Sequence, residues 1–338
     1  HSHNNMQLSF SFAQEVVDCS RGAREIVIDA TLEGMGKGTG NLNTELIADY
    51  LNRKKYYHYD LDLILDLIDQ YVQWIKKEHT WEYQIPYFMA GIYSSHANNI
   101  TYLQDKHRLS TRDIKNILSM IEPEKRKRYD YDNIDRLYLE YSNTKINDRA
   151  ALSELKKILS GRNLCVLVPG HTITEYDSGI KGYISERKTI NISVNFDHEL
   201  SNFVFFGNQR KYDRYRKNCN GRIVIISSNI KSTDSNDIII NYNDLIKRGV
   251  KYFDNSTVML LNLLRRLEIE GFGIAGFDGF NEGVQNHYST DYNISRYEDD
   301  YAQINSELEL ILKEYANGLN VKSNVKFITP SRFARIFE

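Results

Sequence analysis

The chain has 338 residues, of which 41% are hydrophobic, enough to build two or three domains with cores of their own. Its formal net charge of -2 gives no overall reason to expect nucleic acid or a membrane surface as a partner. The three cysteines are scattered and lack a CxxC spacing, which argues against a disulfide framework or a zinc knuckle. No apolar run approaches the roughly 20 residues that span a bilayer. These features predict a cytoplasmic protein.

Residues 1–53 are predicted to form strand, helix, strand, loop and helix. Apolar residues at helical spacing predict the first helix from Met6 to about Arg21, with Gly22 ending it. The β-branched run Glu25–Thr31 predicts a strand buried on both faces. A helix is expected over Asn43–Leu51, after a glycine-rich loop.

Two histidines, His1 and His3, open the chain in the sequence HSHNN. On a strand, residues i and i+2 point to the same face, so two imidazoles can reach one metal ion. The alternative is that these residues are the remnant of a purification tag before Met6.

Glycines alternate through the loop LEGMGKGTGN, where a backbone without side chains can approach a ligand closely. The spacing differs from the dinucleotide fingerprint GxGxxG, and no Gly-Lys-Ser/Thr closes it as in a P-loop. A flexible connection is the plain alternative. The four positions are Gly34, Gly36, Gly38 and Gly40.

Taken together, HSHNN, the helix and VIDATLEGMGKGTGNLNTEL resemble the end of the barrel in the DRE-TIM metallolyases, over roughly residues 1–50. That family includes hydroxymethylglutaryl-CoA lyase, 4-hydroxy-2-oxovalerate aldolase and isopropylmalate synthase. The resemblance favours the metal interpretation over the tag. It implies that His1, His3 and Asn41 bind a divalent cation, Mg²⁺ or Mn²⁺, and that the glycine loop covers a small-molecule substrate.

The family's Arg and metal-ligating Asp, which lie on the first barrel strand, have no counterpart in this chain. Two βα units cannot close a barrel that needs eight strands. We therefore expect a missing N-terminal barrel segment, supplied by the same polypeptide or by a separate chain. By itself the chain is not expected to be an active lyase.

Residues 54–158 are predicted to be mostly helical. One apolar stripe, typical of a core face, runs through Leu61, Leu65, Ile68, Val72 and Ile75. The segment 81–118 resembles the post-barrel helices of bacterial aldolase-domain proteins linked to surface-polysaccharide loci. For His96 and Asn98 within it, helix packing or capping is favoured over contact with the barrel mouth.

Residues 159–338 alternate strand candidates with helix-length segments, including Ser256–Gly271 and Ser295–Gly318. This alternation predicts a Rossmann-like, mostly parallel sheet with flanking helices. The seven strand candidates cover 164–170, 189–196, 202–208, 222–228, 237–243, 272–280 and 324–330.

Four of these candidates end in small or polar residues: Gly170, Asn195, Asn208 and Asp278. Ligands of open α/β sheets bind outside the carboxyl ends of the strands, so these residues could line one crevice for a nucleotide or nucleotide-sugar. The alternative is that they are ordinary turn residues. The pattern faintly resembles sialyltransferase-like and motility-accessory-factor-like nucleotide-sugar domains, and His287 is a weak candidate for a general base.

The favoured interpretation is an α/β chain that contains the last two βα units of a TIM barrel, a helical post-barrel region and a Rossmann-like domain. Its function would be metal-dependent carbon–carbon bond cleavage or formation on a 2-oxo acid or related carbonyl, in surface-polysaccharide sugar biosynthesis. A glycosyltransferase-like enzyme with its site in residues 160–338 is the alternative, and a non-catalytic binding module is a third hypothesis. A homo-oligomer is left open.

Overall fold

The computed structural model describes residues 1–107, 109–143, 145–289 and 300–338. These residues form two compact units. Unit 1 comprises His1–Gln104 and Arg112–Ile134, and unit 2 comprises Asp105–Thr111 and Asp135–Glu338. The predicted boundaries at residues 53 and 158 stay predictions. Within the described ranges, no helix is both long and apolar enough to cross a membrane.

The helices before the sheet are α1 Ser9–Ser20, α2 Thr44–Arg53, α3 Leu61–Leu67, α4 Gln73–Glu78, α5 Ile85–Ile92, α6 Ala97–His107, α7 Thr111–Ser119, α8 Pro123–Arg126, α9 Tyr131–Ser142 and α10 Arg149–Leu159. The two helices predicted for residues 1–53 are therefore confirmed as α1 and α2. Helix α1 ends where Arg21 and Gly22 both adopt positive φ, a conformation that stops a helix.

The predicted strand Glu25–Thr31 is wrong. Residues 25–30 form no ladder, and strand pairing in the described part of unit 1 is limited to two isolated bridges, His3–Asn41 and Thr31–Asn43. Ile28 and Ala30 pack against the cluster around Ala13, whereas Val27 is 83% exposed. A β-branched run is buried on both faces only where strands pair with it and helices cover both sides. Within the described residues, this run has no strand partner and packs on one side only.

All seven strand candidates of residues 159–338 are confirmed, as β1 Leu164–Leu167, β2 Ile190–Val194, β3 Phe203–Phe206, β4 Ile223–Ser227, β5 Ile238–Ile240, β6 Phe272–Ala275 and β7 Val325–Phe327. Every pairing is parallel, and the strand order is β5-β4-β3-β2-β1-β6-β7. Strands β1, β3 and β6 are buried along their whole length, as expected for a parallel sheet covered on both faces.

Between the strands lie α11 Thr172–Glu175, α12 Asp177–Arg187, α13 Gln209–Tyr215, α14 Ser256–Arg266 and α15 Tyr301–Asn317. The last two confirm the two predicted helix-length segments, except that residues 295–299 lie outside the described part. The connections β2–β3 and β4–β5 contain no helix, although parallel crossovers usually use one.

The three cysteines are free, as the sequence predicts. Burial raises the pKa of Cys165 to about 12 and that of Cys219 to about 11, so both thiols stay protonated at neutral pH.

Candidate functional site

In unit 1, the residues predicted to bind a metal lie together. The backbones of His3 and Asn41 are joined by an antiparallel bridge, and the neighbouring Asn4 N–H donates to the Gly40 carbonyl at 2.9 Å. The His1 and His3 rings are 4.8 Å apart between centroids, with their planes nearly perpendicular. Both imidazoles are exposed. The bridge thus brings the backbones of His3 and Asn41 together, with the His1 ring beside that of His3.

The Asn41 side chain is oriented by the glycine loop. Its Nδ2 donates to the Met35 carbonyl at 3.1 Å, which turns Oδ1 the other way. Gly36 packs directly on this amide, because a Cβ at Gly36 would lie 2.5 Å from Asn41 Nδ2. Asn41 Oδ1 is buried and has no hydrogen-bond partner among the described residues. A buried carbonyl oxygen without a donor is a suitable ligand for a hard cation.

Sequence reasoning missed Asp29 as a member of this cluster. Its Oδ2 lies 3.5 Å from His1 Nδ1, close enough to orient the imidazole and leave Nε2 free. A carboxylate behind a ligating histidine is a common arrangement at metal sites. The sequence offered one signal for Asp29, which is its position as the acidic residue near the end of the run EIVIDAT.

The set of ligands is incomplete. Across the ranges that the structure describes, no three His, Cys, Asp or Glu side chains are gathered as a metal site. His1, His3 and Asn41 thus stay a predicted metal site, which the side chains of the described residues do not complete.

The pair His96 and Asn98 takes the helix-capping role that was favoured for it. The Asn98 backbone N–H donates to His96 Nδ1 at 3.1 Å, at the start of α6. Burial and the charge of Lys37 lower the pKa of His96, so its imidazole is neutral at physiological pH.

In unit 2, the strand order creates a switch point between β1 and β6. Consecutive strands β1 to β5 extend the sheet to one side of β1, and β6 and β7 extend it to the other. Such a reversal opens a crevice at the carboxyl ends of the two central strands, where open α/β sheets bind ligands.

Three of the predicted residues meet at this switch point. The Gly170 N–H, after β1, donates to the Gly276 carbonyl, after β6, at 3.0 Å. Gly170 also pairs with His287 through an antiparallel bridge. Asp278 is close enough that a Cβ at Gly170 would lie 2.5 Å from its Oδ2.

The carboxylate of Asp278 ties the two central loops together. Its Oδ2 accepts the Thr172 N–H at 2.9 Å, and its Oδ1 accepts a hydrogen bond from the Thr172 hydroxyl, which lies 3.0 Å from Thr329 Oγ1. Burial raises the pKa of Asp278 above its ordinary value, although the Thr172 hydrogen bonds offset part of that shift. Thr172 and Thr329 were not identified from the sequence, and their position just after a strand end was the available signal.

Asn195 and Asn208, the two asparagines predicted to bind a nucleotide, lie farther along the edge formed by the carboxyl ends of the strands. Asn195, after β2, adopts φ +62° and its Oδ1 accepts the Gly207 N–H at 3.0 Å, which connects the ends of β2 and β3. Asn208, after β3, caps α13, because its Oδ1 accepts the Lys211 N–H at 3.2 Å. Both amides thus have an internal structural task.

No family model matches the chain, and no solved structure matches it significantly.

Proposed function

We propose that unit 1 belongs to a divalent-metal-dependent aldolase or lyase that acts on a 2-oxo acid or a related carbonyl compound, in surface-polysaccharide sugar biosynthesis. The observations that carry this proposal are the backbone bridge between His3 and Asn41, the contact between the His1 and His3 rings, and the buried Asn41 Oδ1 that has no hydrogen-bond partner among the described residues. A bound Mg²⁺ or Mn²⁺ would supply Lewis-acid polarisation of the substrate carbonyl.

The chain's own residues have distinct tasks in this proposal. His1 and His3 present imidazole nitrogens to the cation, and Asp29 orients His1 through Nδ1. Asn41 adds a carbonyl oxygen whose direction is set by the Met35 carbonyl. The glycine loop packs closely on the protein itself, because a Cβ at Gly36, Gly38 or Gly40 would lie 2.5 Å from Asn41 Nδ2, 2.4 Å from the Tyr87 ring or 2.2 Å from the Gly34 carbonyl oxygen. In this proposal the loop therefore positions Asn41.

The exposed segment 25–30 supports a role for residues beyond the described unit. Its backbone makes no ladder in the described structure, and Val27 is 83% exposed. An unpaired extended segment is a template for another strand. In the proposal, a preceding barrel segment pairs there and brings the remaining metal ligands.

The test is Mn²⁺ titration by calorimetry of this chain and of a longer polypeptide that includes the gene sequence upstream of His1. We expect tight binding by the longer polypeptide only, because it completes the coordination shell. His3→Ala should weaken that binding by roughly tenfold or more and abolish turnover of a 2-oxo acid, since it removes a ligand.

His79→Ala is the matched control, because His79 is an exposed histidine of unit 1 outside the cluster. Equal, tight binding by the two polypeptides would contradict the proposal, and so would a His3→Ala variant that binds like the parent.

A second candidate function rests on the switch point of unit 2. We infer that unit 2 is a Rossmann-like domain that binds a nucleotide or nucleotide-sugar between the ends of β1 and β6. The convergence of Gly170, Asp278 and His287 favours it. His287 would serve as a general base if the domain transfers a sugar, which is the glycosyltransferase-like alternative.

A thermal-shift screen with CMP-, UDP- and GDP-sugars tests this function. We expect a stabilising ligand whose affinity falls by roughly tenfold to a hundredfold in Asp278→Asn, as a charged hydrogen-bond acceptor is lost. Asn208→Ser is the control, because serine keeps the cap of α13. If no ligand stabilises the protein, the strand-end residues are structural only. If a ligand is found and sugar transfer is lost in His287→Ala, the glycosyltransferase alternative is favoured over the aldolase or lyase.

A further inference from the structure

The turn after β1, residues 168–172, uses its backbone N–H groups within the protein. In α/β folds that bind dinucleotides, phosphate groups lie on the turn after the first strand, whose N–H groups point at them. Here Pro169 has no N–H group, and the Gly170 N–H donates to the Val168 and Gly276 carbonyls at 2.9 and 3.0 Å. Neither residue at the centre of the turn therefore offers a free donor to a phosphate.

The carboxylate of Asp278 takes up the next donors of this turn. Its Oδ2 accepts the Thr172 N–H at 2.9 Å, and the His171 backbone forms a hydrogen bond with the same carboxylate. The Pro169 carbonyl accepts the Tyr288 N–H at 3.1 Å, so this side of the turn is also paired. The turn after β1 is therefore poorly suited to hold a phosphate.

The loops after β6 and β7 differ from that turn. No described residue accepts a hydrogen bond from the Asp278 or Gly279 N–H, which follow β6. Strand β7 lies next to β6, and Arg332 in the loop after β7 donates its backbone N–H to the Asp278 carbonyl at 3.1 Å. The stem of the Arg332 side chain packs on Gly279, because a Cβ there would lie 3.3 Å from Arg332 Cβ and 3.4 Å from Cδ. The backbone bond and this contact place Arg332 beside Asp278.

The guanidinium of Arg332 is available to a ligand. Arg332 is exposed, and its side chain makes no hydrogen bond or ion pair with the residues that the structure describes. Glu309 on α15 forms its ion pair with Lys313 at 2.7 Å, and Lys313 is the main cause of the lowered pKa of Glu309, with a smaller contribution from Arg332. A planar guanidinium binds phosphate through two parallel N–H bonds.

We propose that the phosphates of a nucleotide bind at the loops after β6 and β7, on the guanidinium of Arg332, while the ribose hydroxyls face Asp278. This placement rests on the proposed nucleotide-binding function of unit 2. A carboxylate accepts roughly four hydrogen bonds. Thr172 supplies two of them to Asp278 and His171 supplies one, which leaves room for a ribose hydroxyl. The phosphate end of the ligand then lies towards β7 instead of over the turn after β1.

Calorimetry of the full chain tests the placement with CMP, UDP and GDP, their nucleosides and inorganic pyrophosphate. For the nucleotide that binds, Arg332→Ala should raise the dissociation constant roughly tenfold to a hundredfold, because charge-assisted hydrogen bonds to phosphate are lost. Binding of pyrophosphate should weaken to a similar degree. The matching nucleoside should bind to Arg332→Ala as it binds to the parent chain.

Other variants separate the two ends of the ligand. Arg332→Lys should have an intermediate affinity for the nucleotide, since lysine keeps the charge but not the planar fork. Asp278→Asn should weaken nucleotide and nucleoside alike, because it acts at the ribose, and should not weaken pyrophosphate. Arg335→Ala is the matched control, because Arg335 is an exposed arginine in the same C-terminal segment. Added salt should weaken nucleotide binding more in the parent chain than in Arg332→Ala.

The outcomes distinguish this placement from the function on which it rests. If Arg332→Ala binds the nucleotide as tightly as the parent chain, the placement is wrong and the nucleotide-binding function stands. Equal losses of nucleotide and nucleoside affinity in Arg332→Ala would also overturn the placement, because the arginine would then act on the whole site. If the parent chain binds no nucleotide, nucleoside or pyrophosphate at about 1 mM, both the function and the placement are wrong.

Discussion

Replacing Gly276 by alanine is expected to destabilise unit 2 by about 3 kcal/mol or more. Gly276 follows β6 at the switch point with φ +74°, a conformation that strains residues with a Cβ. A Cβ there would lie 2.0 Å from the Val168 carbonyl oxygen. That carbonyl cannot move away easily, because it accepts a hydrogen bond from the Gly170 N–H, which also donates to the Gly276 carbonyl. The Val168 N–H in turn donates to the Ala275 carbonyl.

The measurement is urea denaturation of Gly276→Ala beside Gly182→Ala. Gly182 lies inside α12, and a Cβ there would meet nothing within 4 Å. Alanine at Gly182 should stabilise the protein by about 0.5–1 kcal/mol through helix propensity. If the two variants have the same stability, close packing of the loops after β1 and β6 is not required for the stability of unit 2.

Arg216→Ala is expected to destabilise unit 2 by about 3–5 kcal/mol, because it leaves a buried carboxylate without its counter-ion. Arg216 Nε lies 2.8 Å from Asp237 Oδ1, and the Asp237 side chain is fully buried. The remaining Asp237 oxygen accepts hydrogen bonds from the Tyr212 and Ser232 hydroxyls at 2.6 and 2.7 Å. This network anchors the helix-free connection from β4 to β5 and so holds β5 at the edge of the sheet.

Chemical denaturation of three variants tests this network. Adding Asp237→Asn to Arg216→Ala should recover part of the loss, because the uncompensated charge is removed. Lys313→Ala is the comparison, since Lys313 forms an exposed ion pair with Glu309 and its loss should cost less than about 1 kcal/mol. An Arg216→Ala variant as stable as Lys313→Ala would mean that the buried pair contributes little.

The candidate sites were predicted in part. The resemblance implied His1, His3 and Asn41 as metal ligands, which stays a prediction. In the structure the backbones of His3 and Asn41 are bridged, and the His1 and His3 rings lie 4.8 Å apart. Asp29 was missed because its distance to His1 depends on how residues 25–30 lie against the first residues. In unit 2, the strand ends were found correctly, but the structural tasks of Asp278 and Asn208 depend on Thr172 and on the start of α13.

The sequence by itself determined the seven strands of the sheet and their parallel arrangement. Short runs of β-branched and aromatic residues indicate strands that are buried on both faces, which is typical of a parallel sheet. Helix-length segments between several of them also favour parallel pairing, although the connections β2–β3 and β4–β5 contain no helix. The same local signal was wrong for Glu25–Thr31. The residue types of a segment indicate its propensity to form a strand. A strand ladder also needs a neighbouring strand, which only the tertiary structure supplies.

The tertiary structure alone decided the strand order and the fate of apolar stripes. The placement of β6 beside β1, and not beside β5, creates the switch point. In the predicted stripe of residues 61–75, Ile68 and Val72 are buried while Leu65 and Ile75 are exposed by 54% and 41%. Helical periodicity finds an apolar face, but only packing against Trp81 determines which face becomes core.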